Sequence, residues 1–353
     1  MVRCLPALCA LSLAGCDQGP RLIDPVAGPA LELISSYPAH GEGLDCSLSD
    51  PACGVPIDAR VELRFDRFLL PSTAVRQSVR FFSGAALNVV PDDRFGPEII
   101  PSYDPLERVV TFSLPGGATL QPNTYYTVEL PIAAGDDGFG FRAFDGAPLA
   151  GDEPLRIGFR TSNALGPEPL APASALGCAD VVCSVFGHAE LGCELPITSG
   201  CAAEHCHGSP ETEPRMGLSL ASPAALATSA LMRVAHQTET GPTTGRTFEN
   251  PPRFGTAMPL IEPARPSNSY LVYKLLLAPE TYESTAEGES CTRYRAAVDP
   301  ERCILPDADE LTRLREWFVH GEPMPKPDHE PRFVRAESMR TLLDFIATGA
   351  SCR

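Results

Sequence analysis

The stretch Tyr125-Tyr126-Thr127-Val128-Glu129-Leu130 is the most strand-like segment of the chain. Aromatic and β-branched side chains fill it, and such side chains fit a pleated, half-buried surface. The segment VELRF at 61–65 alternates apolar and polar residues, as a strand with one buried face should. Similar segments lie at 79–82, 108–112 and 155–159, whereas 68–75 is predicted to be a turn segment. Strands at this spacing predict an all-β sandwich in the N-terminal half.

Three motifs of this half occur in a recognisable order: IDARVELRFD at 57–66, LQPNTYYTV at 120–128 and FRT at 159–161. The series resembles the bacterial Ig-like domain of surface and S-layer proteins, over about residues 34–161. The resemblance implies a spacer or stalk without catalytic machinery. It also implies that Phe65 and Tyr125 are core residues and do not contact a ligand.

The first 16 residues predict export. Arg3 precedes a short apolar core from Leu5 to Leu13, and Leu13-Ala14-Gly15-Cys16 follows. This segment resembles the signal peptide and lipobox of bacterial lipoproteins, and its apolar core is too short to remain as a membrane span. The resemblance implies removal of residues 1–15 and lipid on Cys16, anchoring the protein to the membrane at the periplasmic face or cell surface. In the alternative, the signal is an ordinary cleaved one and Cys16 is incidental.

Composition then divides the exported chain. Residues 16–33 are predicted to be a tether and 162–176 a stiff Pro/Ala linker, on either side of the Ig-like domain at 34–161. From 177 to 353 cysteines become dense and helical periodicity appears. The clearest helices are predicted at 307–319 and 336–347, with shorter ones at 222–234 and 269–277. This half is therefore predicted to be mainly α, with loop-rich insertions.

Charge and motifs also exclude some functions. The chain has 45 acidic and 28 basic residues, a net charge of -17, which argues against a nucleic-acid partner. No Ser/His/Asp arrangement, phosphate-binding loop or pair of carboxylates stands out. We therefore do not expect an enzyme.

The segment GCAAEHCHG at 200–208 carries the strongest chemical signal. Two cysteines followed at once by a histidine can hold a c-type haem, because the sulfurs bond the porphyrin edge and the imidazole takes an axial position on the iron. Cys201 and Cys206 would supply the thioethers and His207 the iron ligand. Four residues separate these cysteines instead of the usual two, so 202–205 must bulge. Met324, in a Pro-framed loop, is a candidate for the opposite axial position.

Further motifs follow in order: PSNSYLVYKL at 266–275, Met324-Pro325, and a terminal helix that leads to Gly349-Ala350. Together with the Cys-Cys-His segment they resemble cytochrome-c-like domains of exported bacterial lipoproteins, over about residues 195–352. The resemblance implies covalent haem c, with Met324 as the distal ligand and Met258 as the alternative. It also implies electron transfer to a redox protein partner.

Other interpretations of the same residues stay open. Cys201 and Cys206 can form a disulfide in an exported domain, which leaves His207 as an ordinary histidine. A zinc site from Cys201, His205, Cys206 and His207 is a weaker alternative, because tetrahedral sites favour two separated pairs of ligands. Without haem, the protein would be a structural or adhesive surface lipoprotein stabilised by disulfides.

The remaining cysteines are expected to form disulfides in an oxidising compartment. Short loops favour two local pairs, Cys46 with Cys53 and Cys291 with Cys303. The other four can pair in three ways: Cys178, Cys183, Cys193 and Cys352.

Overall fold

The computed structural model describes residues 28–47, 50, 53–84, 97–133, 139–166, 177–186, 207–208, 217–235, 258–276, 308–317 and 336–352. The described residues form an N-terminal β domain, up to residue 166, and a helical region from residue 177. Of the predicted features, the lipobox with Cys16 and the pair Cys291 and Cys303 lie outside the described residues. So do residues 167–176 of the predicted linker.

Two antiparallel sheets make up the β domain. In the described part of the chain their strands are β1 (Leu33–Tyr37), β2 (Val61–Phe65), β3 (Arg80–Gly84), β4 (Ile100–Asp104), β5 (Val109–Ser113), β6 (Tyr125–Leu130) and β7 (Leu155–Arg160). One sheet has the order β1-β2-β5-β4 and the other the order β3-β6-β7. This is the strand order of a constant-type immunoglobulin sandwich. The prediction of a β-rich N-terminal domain is confirmed.

The two sheets share one apolar core, because alternate residues of each strand point inward. Leu63 and Phe65 of β2 are completely buried there, together with Phe112 of β5 and Phe159 of β7. The ring of Tyr126 of β6 contacts those of Phe81 and Phe159, with centroid distances of 5.3 and 5.7 Å, and these two rings also contact each other.

The same tyrosine also closes a turn. The Tyr126 hydroxyl accepts a hydrogen bond of 2.8 Å from the backbone N–H of Gln121, the geometry of a tyrosine corner. The expectation that Phe65 belongs to the core is confirmed. For Tyr125 it is wrong: Tyr125 is half-buried on the opposite face of β6, since neighbouring side chains of a strand point to opposite sides.

A disulfide-closed loop covers the outer edge of β7. Cys46 and Cys53 are bonded, with Cα atoms 5.5 Å apart, as the short loop between them predicts. The N–H of Gly41 donates to the carbonyl of Gly158 at 2.7 Å, and the N–H of Val55 donates to the carbonyl of Arg160 at 2.9 Å. Edge strands are open to pairing with other chains. This loop therefore satisfies backbone groups that would otherwise be available to a second molecule.

The helical region contains α1 (Cys178–Val181), which continues as a wider turn over Val182–Phe186, then α2 (Pro223–Ser229), α3 (Tyr270–Leu276), α4 (Ala308–Trp317) and α5 (Ala336–Ala347). Helix α2 begins where the sequence favours it, since Ser222 Oγ accepts a 3.0 Å hydrogen bond from the N–H of Ala225. Helix α5 has the predicted bounds, and α4 lies within the predicted 307–319. The helices are confirmed, whereas a cytochrome-c-like fold for this region stays a prediction.

A second disulfide joins the two ends of the helical region. Cys178 in α1 is bonded to Cys352 beyond α5, across 174 residues of chain, with Cα atoms 4.9 Å apart. This resolves part of the pairing that the sequence left open. Cys183 is also disulfide-bonded, and its partner lies outside the described residues. In the described part of the chain, no helix is long and apolar enough to cross a membrane.

The first residues of the predicted linker belong to the β domain. The N–H of Ile57 donates to the carbonyl of Ala164 at 3.0 Å, and the N–H of Gly166 donates to Asp58 Oδ1 at 2.7 Å. Ser162 is buried beside them. The chain therefore leaves the sandwich no earlier than residue 166, a few residues later than composition suggests.

Candidate functional site

His207 is the described member of the predicted haem site. Its side chain is 8% exposed, and its Nδ1 lies 3.1 Å from the carbonyl oxygen of Leu218. The carbonyl of His207 itself accepts a 2.6 Å hydrogen bond from the N–H of Leu220. These two contacts hold residue 207 against the segment 217–220, and the first of them restricts the orientation of the imidazole.

A backbone carbonyl that accepts a hydrogen bond from one imidazole nitrogen has a known role in metal sites. Histidines that ligate metals commonly donate their other ring N–H to such a carbonyl, which sets the tautomer and raises the basicity of the ligand nitrogen. The same contact also satisfies a buried histidine that binds nothing. The geometry of His207 therefore fits an axial ligand and an ordinary core residue equally well.

The partners that the sequence assigns to His207 lie outside the described residues. They are Cys201, Cys206, Met324 and, for the zinc alternative, His205. Their placement relative to His207 stays a prediction. Within the described ranges, no group of three or more His, Cys, Asp or Glu side chains is arranged to hold a metal ion.

Met258, the alternative distal ligand, lies in the apolar core of the helical region. Its side chain is buried in a cluster that also contains Leu218, Leu220 and Tyr270. Its carbonyl accepts a 3.0 Å hydrogen bond from the N–H of Ala235. A buried methionine is also a common core filler, so a ligand role for Met258 stays a prediction.

The largest feature that sequence reasoning missed is the contact between the β domain and the helices. Phe68, Leu70 and Phe144 extend from the β domain into the apolar cluster of the helical region. Phe68 is 1% exposed, although residues 68–75 read as a turn in the sequence. The run Phe68-Leu69-Leu70 was the available signal, since consecutive apolar residues are unusual in an exposed turn.

Polar groups line one side of this contact. Glu310 of α4 is 2% exposed, and its Oε1 accepts a 2.7 Å hydrogen bond from the N–H of Phe68. Burial raises the pKa of the Glu310 carboxyl to about 7, although Arg108 and the Phe68 N–H oppose the change. The neighbouring N–H of Leu69 donates to the buried Tyr103 hydroxyl at 2.9 Å. Two consecutive backbone donors of the 66–70 turn are thus satisfied by side chains.

Two buried arginines hold the same turn in place. Arg67 forms an ion pair with Asp145 and also donates to the carbonyl of Pro29. Arg108 donates to the carbonyl of Asp66, and its guanidinium carbon lies 5.8 Å from the centre of the Phe68 ring. Buried guanidinium groups need such partners, because an unpaired buried charge is costly.

Ion pairs cross the other side of the contact. Arg340 of α5 places Nη1 2.5 Å from Asp104 Oδ2 and Nη2 3.8 Å from Glu107 Oε1, and both acids belong to the β domain. Glu107 also faces Arg64, at 3.8 Å. The apolar contact, the Glu310 hydrogen bond and these pairs together fix the orientation of the helical region on the sandwich.

Comparison with known proteins gives little beyond weak structural likeness. No family model matches the chain, and no curated protein matches it. The N-terminal part of the bacterial S-layer protein SbsC is similar at 14% identity and a TM-score of 0.22, over 38% of this chain and 24% of that one. A structure of SbsC domains 1–6 has 14% identity and a TM-score of 0.24, over 42% and 15%. The chain thus spans about a quarter or less of these proteins, and likeness at this level assigns neither fold nor function.

Proposed function

We propose that the protein is a structural or adhesive surface lipoprotein whose β domain and helical region pack against each other. The observation that carries the proposal is the disulfide bonding of the described cysteines, Cys46 with Cys53 and Cys178 with Cys352. Disulfides form and persist mainly in exported proteins. They stabilise a loop-rich chain without requiring a cofactor.

The interface supports the same role. Phe68, Glu310 and Arg340 connect the β domain to the helices by apolar packing, a hydrogen bond and an ion pair. Lipid on Cys16 would then hold the packed β domain and helical region at the membrane.

Replacement of Cys16 tests the membrane anchor. In Cys16→Ala the lipid has no sulfur to join, so we expect the protein to lose its lipid label. Partition into detergent phase and metabolic labelling with palmitate measure the change. Cys9→Ala, inside the predicted signal segment, is the matched control and should remain lipidated. Palmitate incorporation that survives in Cys16→Ala would contradict the anchor.

The second candidate function is electron transfer by a c-type haem, and the contact of His207 Nδ1 with the Leu218 carbonyl is compatible with it. Cys201 and Cys206 would hold the haem covalently, His207 would take one axial position, and Met324 or Met258 the other. Bound haem would supply one-electron redox chemistry. The chain's own contribution would be to orient His207 through the Leu218 carbonyl and to keep the imidazole buried.

A haem assay separates the two functions. If the protein is structural, its expression with a c-type maturation system should give no covalent haem band in an alkaline pyridine haemochrome spectrum. Mass spectrometry of unreduced peptides should then find Cys201 and Cys206 in disulfides. A haemochrome band that Cys201→Ala/Cys206→Ala abolishes would instead establish the haem protein and overturn the structural proposal.

A further inference from the structure

Glu310 is an acidic side chain that the described interface buries almost completely. It extends from α4 to the 66–70 turn of the β domain, where its Oε1 accepts a 2.7 Å hydrogen bond from the N–H of Phe68. Leu314, four residues later and so about one helical turn along α4, is buried in the helical core, so α4 is anchored on the same face. Separation of the β domain from α4 would expose both Glu310 and the Phe68 ring.

Among the residues that the structure describes, the charged and titratable groups around Glu310 come from the β domain. They are Arg108, Arg67 and Asp66, with the Tyr103 hydroxyl behind them. Arg67 is engaged with Asp145 and the Pro29 carbonyl, and Arg108 with the Asp66 carbonyl. In the described part of the chain, neither arginine forms an ion pair with Glu310. The charge of an ionised Glu310 is therefore buried beside two guanidinium groups that form their hydrogen bonds with other residues.

Such a carboxyl is easier to bury with its proton than without it. A protonated carboxyl still offers an oxygen to the Phe68 N–H, but it avoids the cost of removing a charge from water. The docked state consequently binds a proton more tightly than the undocked state does. Docking is then favoured below neutral pH and weakens as the pH rises toward and above 7.

We propose that Glu310 is a proton-controlled latch between the β domain and the helical region. The latch holds when the carboxyl is protonated and loosens when it ionises. On loosening, the Phe68 side chain and the apolar surface of the helices become accessible to solvent. This role rests on the proposed export of the protein, because an exported protein is exposed to changes in external pH.

Hydrogen exchange of the full chain tests the latch, because the Phe68 N–H is protected by Glu310 itself. With a carboxyl pKa of about 7 when docked and 4.5 when undocked, the docking equilibrium should fall by about 30-fold between about pH 5.5 and about pH 8.5. After correction for intrinsic exchange, we expect the protection of Phe68 to fall by a similar factor. Glu310→Gln keeps the acceptor oxygen and loses the charge, so its protection should stay at the acid level throughout.

Asp309→Asn is the matched control, because it removes the same charge from the adjacent, exposed position of α4. It should retain the pH dependence of the unmodified protein. A Glu310→Gln profile that falls with pH as steeply as that of the unmodified protein overturns the proposal. If Glu310→Gln does not fold, the unmodified protein decides alone: constant Phe68 protection over this pH range overturns the latch.

Discussion

Replacement of Cys178 and Cys352 by alanine is expected to lower the free energy of unfolding by about 5 kcal/mol. The bond closes a loop of 174 residues, and its loss restores the conformational freedom of that loop to the unfolded chain. Urea unfolding measures the change, with the fluorescence of the only tryptophan, Trp317, as the probe. Trp317 is the last residue of α4, so the signal reports on the helical region.

The pair Cys46 and Cys53 is the internal control. Its loop spans only 7 residues, so the same estimate gives about 2 kcal/mol for Cys46→Ala/Cys53→Ala. Both variants remove whole pairs and leave no new free thiol to exchange with Cys183. Equal decreases in the free energy of unfolding, or a larger decrease for Cys46→Ala/Cys53→Ala, would show that loop closure does not determine the stability of this chain.

Phe68→Ala is expected to lower the free energy of unfolding by about 3–5 kcal/mol. The ring is almost completely buried, and its removal leaves a cavity between the β domain and the helices. The backbone N–H remains, so the hydrogen bond to Glu310 is available in the variant. The apolar contact of Phe68 couples the cores of the β domain and the helical region. Because Phe68→Ala removes that contact, we also expect unfolding to separate into two transitions, one for each part.

Phe81→Ala distinguishes this coupling from a general loss of packing. Phe81 is buried inside the sandwich and belongs to the core of the β domain. A cavity there should lower stability by a similar amount, while leaving the interface packed. Circular dichroism and tryptophan fluorescence should therefore coincide for Phe81→Ala and diverge for Phe68→Ala. A single coincident transition in Phe68→Ala would contradict a shared core.

The interface joins the β domain to the helical region more tightly than a flexible linker alone would. A spacer domain joined only by a flexible linker would move independently of its neighbour. Here Phe68 packs in the helical core, and Arg340 pairs with Asp104. A rearrangement of one part therefore changes the packing of the other. Glu310 lies at this contact, where a change in its protonation would act on both parts.

Short-range features of this protein could be predicted from its sequence because their causes are local. Alternating side chains predicted β2, and β-branched and aromatic residues predicted β6, since each pattern buries one face. Helical periodicity predicted the bounds of α5. The disulfide between Cys46 and Cys53 followed from the shortness of its loop. The edge strands β1 and β4 had weaker patterns and were not delimited.

Long-range features were decided only by the tertiary structure. Whether Tyr125 or Tyr126 enters the core depends on the register of β6 with its neighbours, and a shift of one residue exchanges them. The pairing of Cys178 with Cys352 and the insertion of Phe68 between the domains join residues far apart in the chain. No local pattern encodes such contacts. The sequence therefore determined the strands, helices and chemical candidates of this protein, whereas the folded chain determined which of them meet.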